Sequence, residues 1–326
     1  MRRILIIQTA FIGDVILAIP LIEKLHSFFP DVEIDFLVRR GNESLLSNNP
    51  HLHEVLIWDK RQAKYKNLLR IISKVRSKKY DTVIVVQRFL STGLIAAFSG
   101  AKEIVGFDKN PVSFLFSKKV KHIIGTKEKP VHEVERNLNL IEDVTDGTFV
   151  RPKIYLSADD FEKVKTTGKY VCMAPASIWF TKQLPVKKWM EVIALIAQSN
   201  IIYLLGGKED FEVCEGIRIS SGRDNIRNLA GKLSLLESAA LMKNAVMNYV
   251  NDSAPLHLAS AVNAPVTAVF CSTIPEFGFG PLSDISKVVE TSEYLDCRPC
   301  GLHGYRACPK GHFKCVEIDA MEIVTA

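Results

Sequence analysis

The 326-residue sequence contains no apolar stretch approaching the roughly 20 residues of a membrane-spanning helix. It also lacks a charged-then-apolar leader ending in small residues, because the apolar run Ile4 to Ile7 is too short for a signal peptide. On these absences the chain is expected to stay in the cytosol, where seven cysteines would point to free thiols or a metal rather than a disulfide framework. No G-x-G-x-x-G turn is present, so the dinucleotide fingerprint is excluded. No basic groove interleaved with aromatics and no RNA-binding signature occurs, which argues against nucleic acid as a partner. Acidic residues are missing altogether between Lys60 and Lys79.

What is present suits a globular protein with sizeable cores. The chain is 47% hydrophobic and long for one domain, so two domains are expected. The net charge of +6 is modest, and its distribution carries more information than its total.

The β-branched run Arg3-Ile-Leu-Ile-Ile-Gln8 predicts a buried parallel strand, followed by Thr9-Ala-Phe-Ile-Gly13-Asp14 and an amphipathic helix from about Val15 to Phe29. Asp14 then lies at the carboxyl end of the first strand, where ligands bind in open α/β sheets. The plainer alternative is a helix-capping acid. Strands follow at about Glu33 to Val38 and Glu54 to Ile57. Next comes a basic amphipathic helix in which Leu68, Leu69, Ile71, Ile72 and Val75 form the apolar face. Such a helix suits an anionic membrane surface, a phosphorylated ligand or nucleic acid, although a solvated face with no partner gives the same pattern. Asp81 to Val86 reads as a strand, a short strand lies near Ile104, and Pro130 to Asp143 reads as a helix. Lys60, Arg61, Lys64, Arg88, His132 and Arg136 are the candidates to meet an anionic ligand. This alternation predicts a parallel sheet covered on both faces over residues 1–150, with a linker reaching to about Gly168.

Residues 168–316 repeat the architecture without repeating the sequence. Strands are expected at Tyr170 to Met173, Ile201 to Leu205, Ala245 to Val250 and Pro265 to Phe270. The turns after them carry Ser177 and Lys182, then Asp210, then Gly231, then Asp252, Ser253 and His257. Asp252 or Ser253 caps the next helix, and Pro255 fits its first turn. Hydroxyls and a lysine beside helix N-termini suit phosphates, and an acid on the neighbouring turn suits a ribose diol. If the turns share one sheet edge, they converge on a nucleotide pocket.

The stretch Cys297-Arg-Pro-Cys300-Gly-Leu-His303-Gly-Tyr-Arg-Ala-Cys308-Pro-Lys-Gly-His312-Phe-Lys-Cys315 has the ligand types of a structural zinc site. Cys297, Cys300, Cys308 and Cys315 are its candidate ligands, and a loop held by packing is the alternative. Residues 317–326 are expected to close the chain as a short helix.

In order, Gly13-Asp14, Ser177-Ile-Trp-Phe-Thr-Lys182-Gln-Leu-Pro185, Gly206-Gly-Lys-Glu-Asp210, Leu229-Ala-Gly231, Asn251-Asp-Ser-Ala-Pro-Leu-His257 and Phe279-Gly-Pro281 resemble the motifs of the ADP-heptose:lipopolysaccharide heptosyltransferases, glycosyltransferase family 9. The cysteine loop resembles members of the heptosyltransferase II type. The resemblance implies an α/β chain of GT-B fold, with two Rossmann-like, doubly wound parallel-sheet domains facing across a cleft. It implies inverting transfer of heptose from ADP-L-glycero-D-manno-heptose to the Kdo/heptose inner core on lipid A, in the cytoplasm at the inner face of the inner membrane. No cofactor is required for transfer on that reading. Asp14 would be the general base, the acceptor would meet Lys60, Arg61, Lys64, Arg88, His132 and Arg136 on the N-terminal side, and Lys182 with Ser177 would hold the diphosphate. Asp210 would meet the ribose and Leu233 the adenine, while Asp252, Ser253, Ala254 and His257 would clamp phosphate and sugar. Ala254 stands where the family usually has glycine, and Asp210 where glutamate is frequent. A GT-B enzyme with another nucleotide sugar or surface-glycan acceptor, or a non-catalytic nucleotide- or metal-binding protein, fits the same residues less fully.

Overall fold

Six short runs rich in β-branched residues build the first sheet of the computed structural model, which describes residues 2–60 and 63–325. They are β1 (Arg3–Ile7), β2 (Glu33–Arg39), β3 (Glu54–Trp58), β4 (Thr82–Val85), β5 (Glu103–Phe107) and β6 (Lys118–Val120). All neighbours pair in parallel, in the order β3-β2-β1-β4-β5-β6. Ile4 to Ile7, Val83 and Val85 are almost wholly buried, as befits strands covered on both faces. The chain divides after Tyr155 into two compact units.

The helices of the first unit are α1 (Ile12–Ala18), α2 (Pro20–Phe28), α3 (Lys64–Ser77), α4 (Leu90–Ala97) and α5 (Glu133–Leu138). The single helix expected from Val15 to Phe29 is broken in two. Pro20 has no N–H to give the Ile16 carbonyl, and the Ile19 N–H takes that acceptor in a tighter turn at 3.2 Å. Helix α5 is shorter than the run from Pro130 to Asp143, because its start is fixed by a cap at His132. On α3, Ile71 and Val75 are buried as expected, whereas Leu69 is 68% exposed and belongs to the solvent side. Arg61 lies outside the described residues, as does the side chain of Lys64.

The second sheet consists of β7 (Tyr170–Ala174), β8 (Ile201–Leu204), β9 (Ile226–Asn228), β10 (Asn248–Asn251), β11 (Val266–Phe270) and β12 (Ser286–Glu290). Its order is β12-β11-β10-β7-β8-β9, again all parallel, which is the first sheet's topology over again. Around it lie α6 (Ala158–Glu162), α7 (Val186–Leu195), α8 (Phe211–Ser221), α9 (Leu235–Lys243), α10 (Ala254–Ala261) and α11 (Ala320–Val324). The core holds Trp189, Val192, Ile193, Ile202 and Leu204, all buried to within about a percent. Helix α6 occupies part of the stretch expected to be linker, with Ser157 capping it through the Asp160 N–H.

Each sheet reverses its strand order once, between β1 and β4 in the first unit and between β7 and β10 in the second. A crevice opens at the carboxyl ends of the strands at such a point, and ligands bind there.

Candidate active site

At the switch point of the first unit the chain leaves β1 through Thr9 and enters α1 at Ile12. The amide of Gln87, just after β4, fills the gap by accepting the Thr9 N–H at 3.0 Å and the Thr9 hydroxyl at 2.6 Å. Lys60 reaches in from the end of β3 and donates to the Thr9 carbonyl and hydroxyl at 3.0 and 2.7 Å, its ammonium 4.5 Å from the centre of the Trp58 ring. Asp14 stands in the first turn of α1, where its Oδ2 accepts the Phe11 N–H at 3.0 Å. The capping role is therefore real, and it fixes the carboxylate at this edge. Burial pushes the Asp14 carboxyl up to about 6, the nearby Glu133 pushes the same way, and the helix-start N–H groups and Arg39 only partly oppose them.

Helix α5 supplies that second acid. Glu133 forms an ion pair with Arg136, whose Nε lies 2.8 Å from Glu133 Oε2, and Arg136 also donates to the Val131 carbonyl at 2.8 Å. Asn137 pins α5 to α1 by donating to the Leu17 carbonyl at 3.0 Å. Of the acceptor candidates, Arg136 is thus a buried brace for Glu133 and His132 is the helix cap, its Nδ1 accepting from the Val134 N–H. Arg88 is exposed beside them, and burial, aided by Arg88 and Arg136, holds the His122 imidazole down to about 4.

At the switch point of the second unit the filling amide is Asn251, the last residue of β10. Its Oδ1 accepts the Leu184 N–H at 3.0 Å and its Nδ2 donates to the Pro175 carbonyl at 2.7 Å, so it spans the loop that follows β7. That loop carries Lys182, whose Nζ lies 2.6 Å from Asp252 Oδ2, both side chains nearly buried. Thr273 donates to the same carboxylate oxygen at 2.6 Å. Asp252 therefore positions the lysine rather than gripping an anion, since a carboxylate would repel a phosphate. One of the three ammonium donors is spent on Asp252 and the others are available to a ligand. Ser253 caps α10 with its backbone only, making no side-chain bond to the first-turn N–H groups. A helix start without a side-chain cap, beside a lysine, has the chemistry that suits an anion. His257 is buried one turn along α10, its ring 6.2 Å from that of Phe279.

The neighbouring turns flank this cluster. Asp210 accepts the Gly207 N–H at 2.8 Å, and burial raises its pKa. Gly231 donates to the Gly206 carbonyl at 2.9 Å with φ of +71°, and a Cβ there would come within 2.8 Å of the Lys208 Cα, so only glycine lets the two turns touch. Leu233 follows, half-buried, and Ser177 accepts Gln183 Nε2 through its carbonyl. Ala254 opens α10.

The cysteine loop is bound to the same edge. Arg298 donates to the carbonyls of Cys271 and Thr273 at 2.7 Å each and to Glu290 at 2.6 Å. Thr181 donates its N–H to the Tyr305 carbonyl at 3.1 Å, and its hydroxyl accepts the Tyr305 N–H at 2.7 Å and the Ser272 hydroxyl at 3.0 Å. The donor set suits a thiophilic metal, but the expected convergence of Cys297, Cys300, Cys308 and Cys315 is not observed. Among the described residues, the one group of three Cys, His, Asp or Glu donors lying within 4.8 Å of one another is Asp35, His53 and Glu54. Lys78 sits between those two acids at 3.6 Å from Asp35, so a cation already occupies that role.

Against this geometry stand the comparisons with known proteins. The family model for glycosyltransferase family 9 (heptosyltransferase) matches residues 68–302. The chain belongs to glycosyltransferase family 9. Among relatives of this family 9 enzyme, lipopolysaccharide heptosyltransferase 3 of Escherichia coli K12 is 27% identical over 281 residues, 80% of each chain. The glycosyl transferase family 9 structure from Veillonella parvula superposes with a TM-score of 0.80 at 22% identity, covering 89% of this chain and 86% of that one. The E. coli ADP-heptose lipopolysaccharide heptosyltransferase II superposes at 0.78 and 21% identity, covering 92% and 96%. The expected GT-B fold is met by these likenesses and by the two parallel sheets.

In this family 9 glycosyltransferase several site residues are invisible to sequence reasoning. Thr273 and Arg298 reach the Lys182 cluster from more than twenty residues beyond Asp252, and only the parallel pairing of β10 with β11 brings Thr273 alongside. Glu133 had a local signal, being an acid at a helix start, but nothing in sequence ties it to Asp14.

Proposed function

We propose that this glycosyltransferase moves heptose from an ADP-heptose donor to the Kdo/heptose inner core of lipopolysaccharide, with inversion, working peripherally at the inner face of the inner membrane. The observation that carries the reading is the assignment of opposite chemistry to the two switch points: an acid with a raised pKa in the first unit and a lysine cradle at an uncapped helix start in the second. Asp14 takes the proton of the acceptor hydroxyl as its oxygen bonds to the anomeric carbon, and the bond from that carbon to the diphosphate breaks. Lys182 and the N–H groups of α10 neutralise the departing ADP. Asp210 and Leu233 meet the ribose and adenine, with Ser177, Ser253, Ala254 and His257 around the diphosphate and sugar. Lys60 and Arg88 face the anionic acceptor. That the relatives include lipopolysaccharide heptosyltransferase 3 and an ADP-heptose lipopolysaccharide heptosyltransferase supports heptose, ADP and lipopolysaccharide as the chemistry. A structural metal on Cys297, Cys300, Cys308 and Cys315 is supported by the donor types alone and would require the loop to draw the four thiols together; metal analysis of the purified protein tests it, and a metal-free, fully folded protein would remove it.

The test of function is a thermal-shift comparison of ADP, UDP and GDP, followed by turnover of ADP-heptose on a Kdo-bearing acceptor. Stabilisation by ADP alone with transfer is the expected result. Preference for UDP or GDP would point to a different nucleotide sugar.

A further inference from the structure

Charge is concentrated in one part of the first unit. Residues 60–127 hold sixteen Lys and Arg against three Asp and Glu, which leaves the remainder of the chain net negative, 26 against 33. Within that segment the pairing is one-sided. Lys74 and Lys78 are taken up by Glu54, and Lys102 by Asp81, all at the amino-terminal edge of the sheet. Lys66, Arg88 and Lys109 lie exposed in or beside the turns that follow β3, β4 and β5, and Arg70 is exposed further along α3.

Parallel strands place the start of every following helix or turn at the carboxyl edge. The first turns of α3 after β3, of α4 after β4 and the 113–115 turn after β5 therefore share one rim. Asn110 joins two of them by donating to the carbonyls of Gln87 and Phe89 at 3.0 and 3.1 Å, and a Cβ on Gly93 would strike Val112. That rim carries large apolar side chains in solvent: Tyr65 is 79% exposed, Phe114 74% and Phe89 60%, with Leu90 and Leu115 about half exposed. An apolar patch costs solubility and marks an interaction surface. Set among unpaired-sign basic residues, it matches a surface that is both anionic and apolar beneath. A second copy of the chain does not, because two such rims would oppose like charges.

We propose that this rim docks on an anionic lipid bilayer, with Phe89, Leu90, Phe114 and Leu115 entering the interface while Lys66, Arg70 and Lys109 meet the headgroups. The proposal deepens the membrane part of the function proposed above and rests on it for the enzyme's location. The docking surface is thus a composite of α3, α4 and the 113–115 turn, and the basic helix alone is insufficient.

Co-sedimentation of the full chain with phosphatidylcholine vesicles, with and without phosphatidylglycerol, tests this. Binding is expected only with phosphatidylglycerol, should weaken as salt is raised, and should fall about tenfold in the F114S/L115S variant. Tryptophan at 114 (F114W) should keep binding and shift its fluorescence to the blue on adding anionic vesicles. Wild-type binding by F114S/L115S, equal binding to neutral vesicles, an unshifted tryptophan, or capture by an oligonucleotide in place of vesicles would overturn the proposal. Transfer to a delipidated, soluble core acceptor should be the same in F114S/L115S as in wild type. Loss of transfer in both with vesicle binding intact would sink the function while leaving the docking surface standing.

Discussion

The two units share one strand order, and each closes its switch point with a single amide on the strand that follows the order reversal, Gln87 beside β4 and Asn251 ending β10. Past that plug they diverge. The first unit keeps an acid that burial and Glu133 make harder to ionise. The second balances Lys182 with Asp252 and leaves a helix start open. A repeated scaffold thus gives two platforms of opposite chemistry, and on the proposed function the side chains past the plug decide which platform takes a proton and which receives a diphosphate.

The sharpest break in that comparison is Asp14→Asn. The amide can still accept the Phe11 N–H, so the helix start survives, and turnover should fall by roughly 10²–10⁴-fold while ADP affinity stays within about twofold. Because the folded protein binds the Asp14 proton more tightly than the unfolded chain, stability from that group is present at low pH and is lost as pH rises through about 6. The variant should therefore melt no lower than wild type at pH 8. A variant with most of its turnover would strip Asp14 of the base role.

Lys182→Met is the counterpart in the second unit. ADP affinity and turnover should both drop, the latter by about 10²-fold or more, with Asp252 left buried without its cation. Calorimetric titration of ADP checks this, and unchanged affinity would separate the lysine from the diphosphate. Asn251→Ala asks whether the plug is structural. Two buried hydrogen bonds vanish, and about 2–4 kcal/mol of unfolding free energy should go with them in denaturant melts, against little change for an exposed polar residue. Thr273→Val is the mildest. It removes one donor from Asp252, and ADP affinity should weaken by roughly 2–10-fold with the fold intact.

How much of this was legible in the sequence differs between the units for physical reasons. Strands such as Ile4 to Ile7 and Val266 to Phe270 announce themselves because burial on both faces demands unbroken apolar runs. The edge strands β6, Lys-Lys-Val, and β12, Ser-Lys-Val-Val-Glu, were missed because an edge tolerates charge and hides the pattern. Helix α4 was missed because Gly93 sits inside it, where Asn110 and Val112 leave no room for a Cβ. Asp14, Lys182 and Asp252 were readable as polar residues at strand-to-helix turns. That Asp252 holds Lys182, that Arg136 braces Glu133 and that the cysteine loop clasps Thr181 depend on pairings across the fold, which local periodicity does not encode.

The central claim is that ionisation of Asp14 governs transfer while nucleotide binding belongs to the other unit. The most direct measurement is the pH dependence of kcat/KM beside the ADP Kd, for wild type and Glu133→Gln. An acid limb in kcat/KM is expected near pH 6, moving to lower pH by up to about one pH unit when the Glu133 charge is removed, with ADP Kd flat across the limb. A limb that stays in place in Glu133→Gln, or that appears equally in ADP binding, would contradict it.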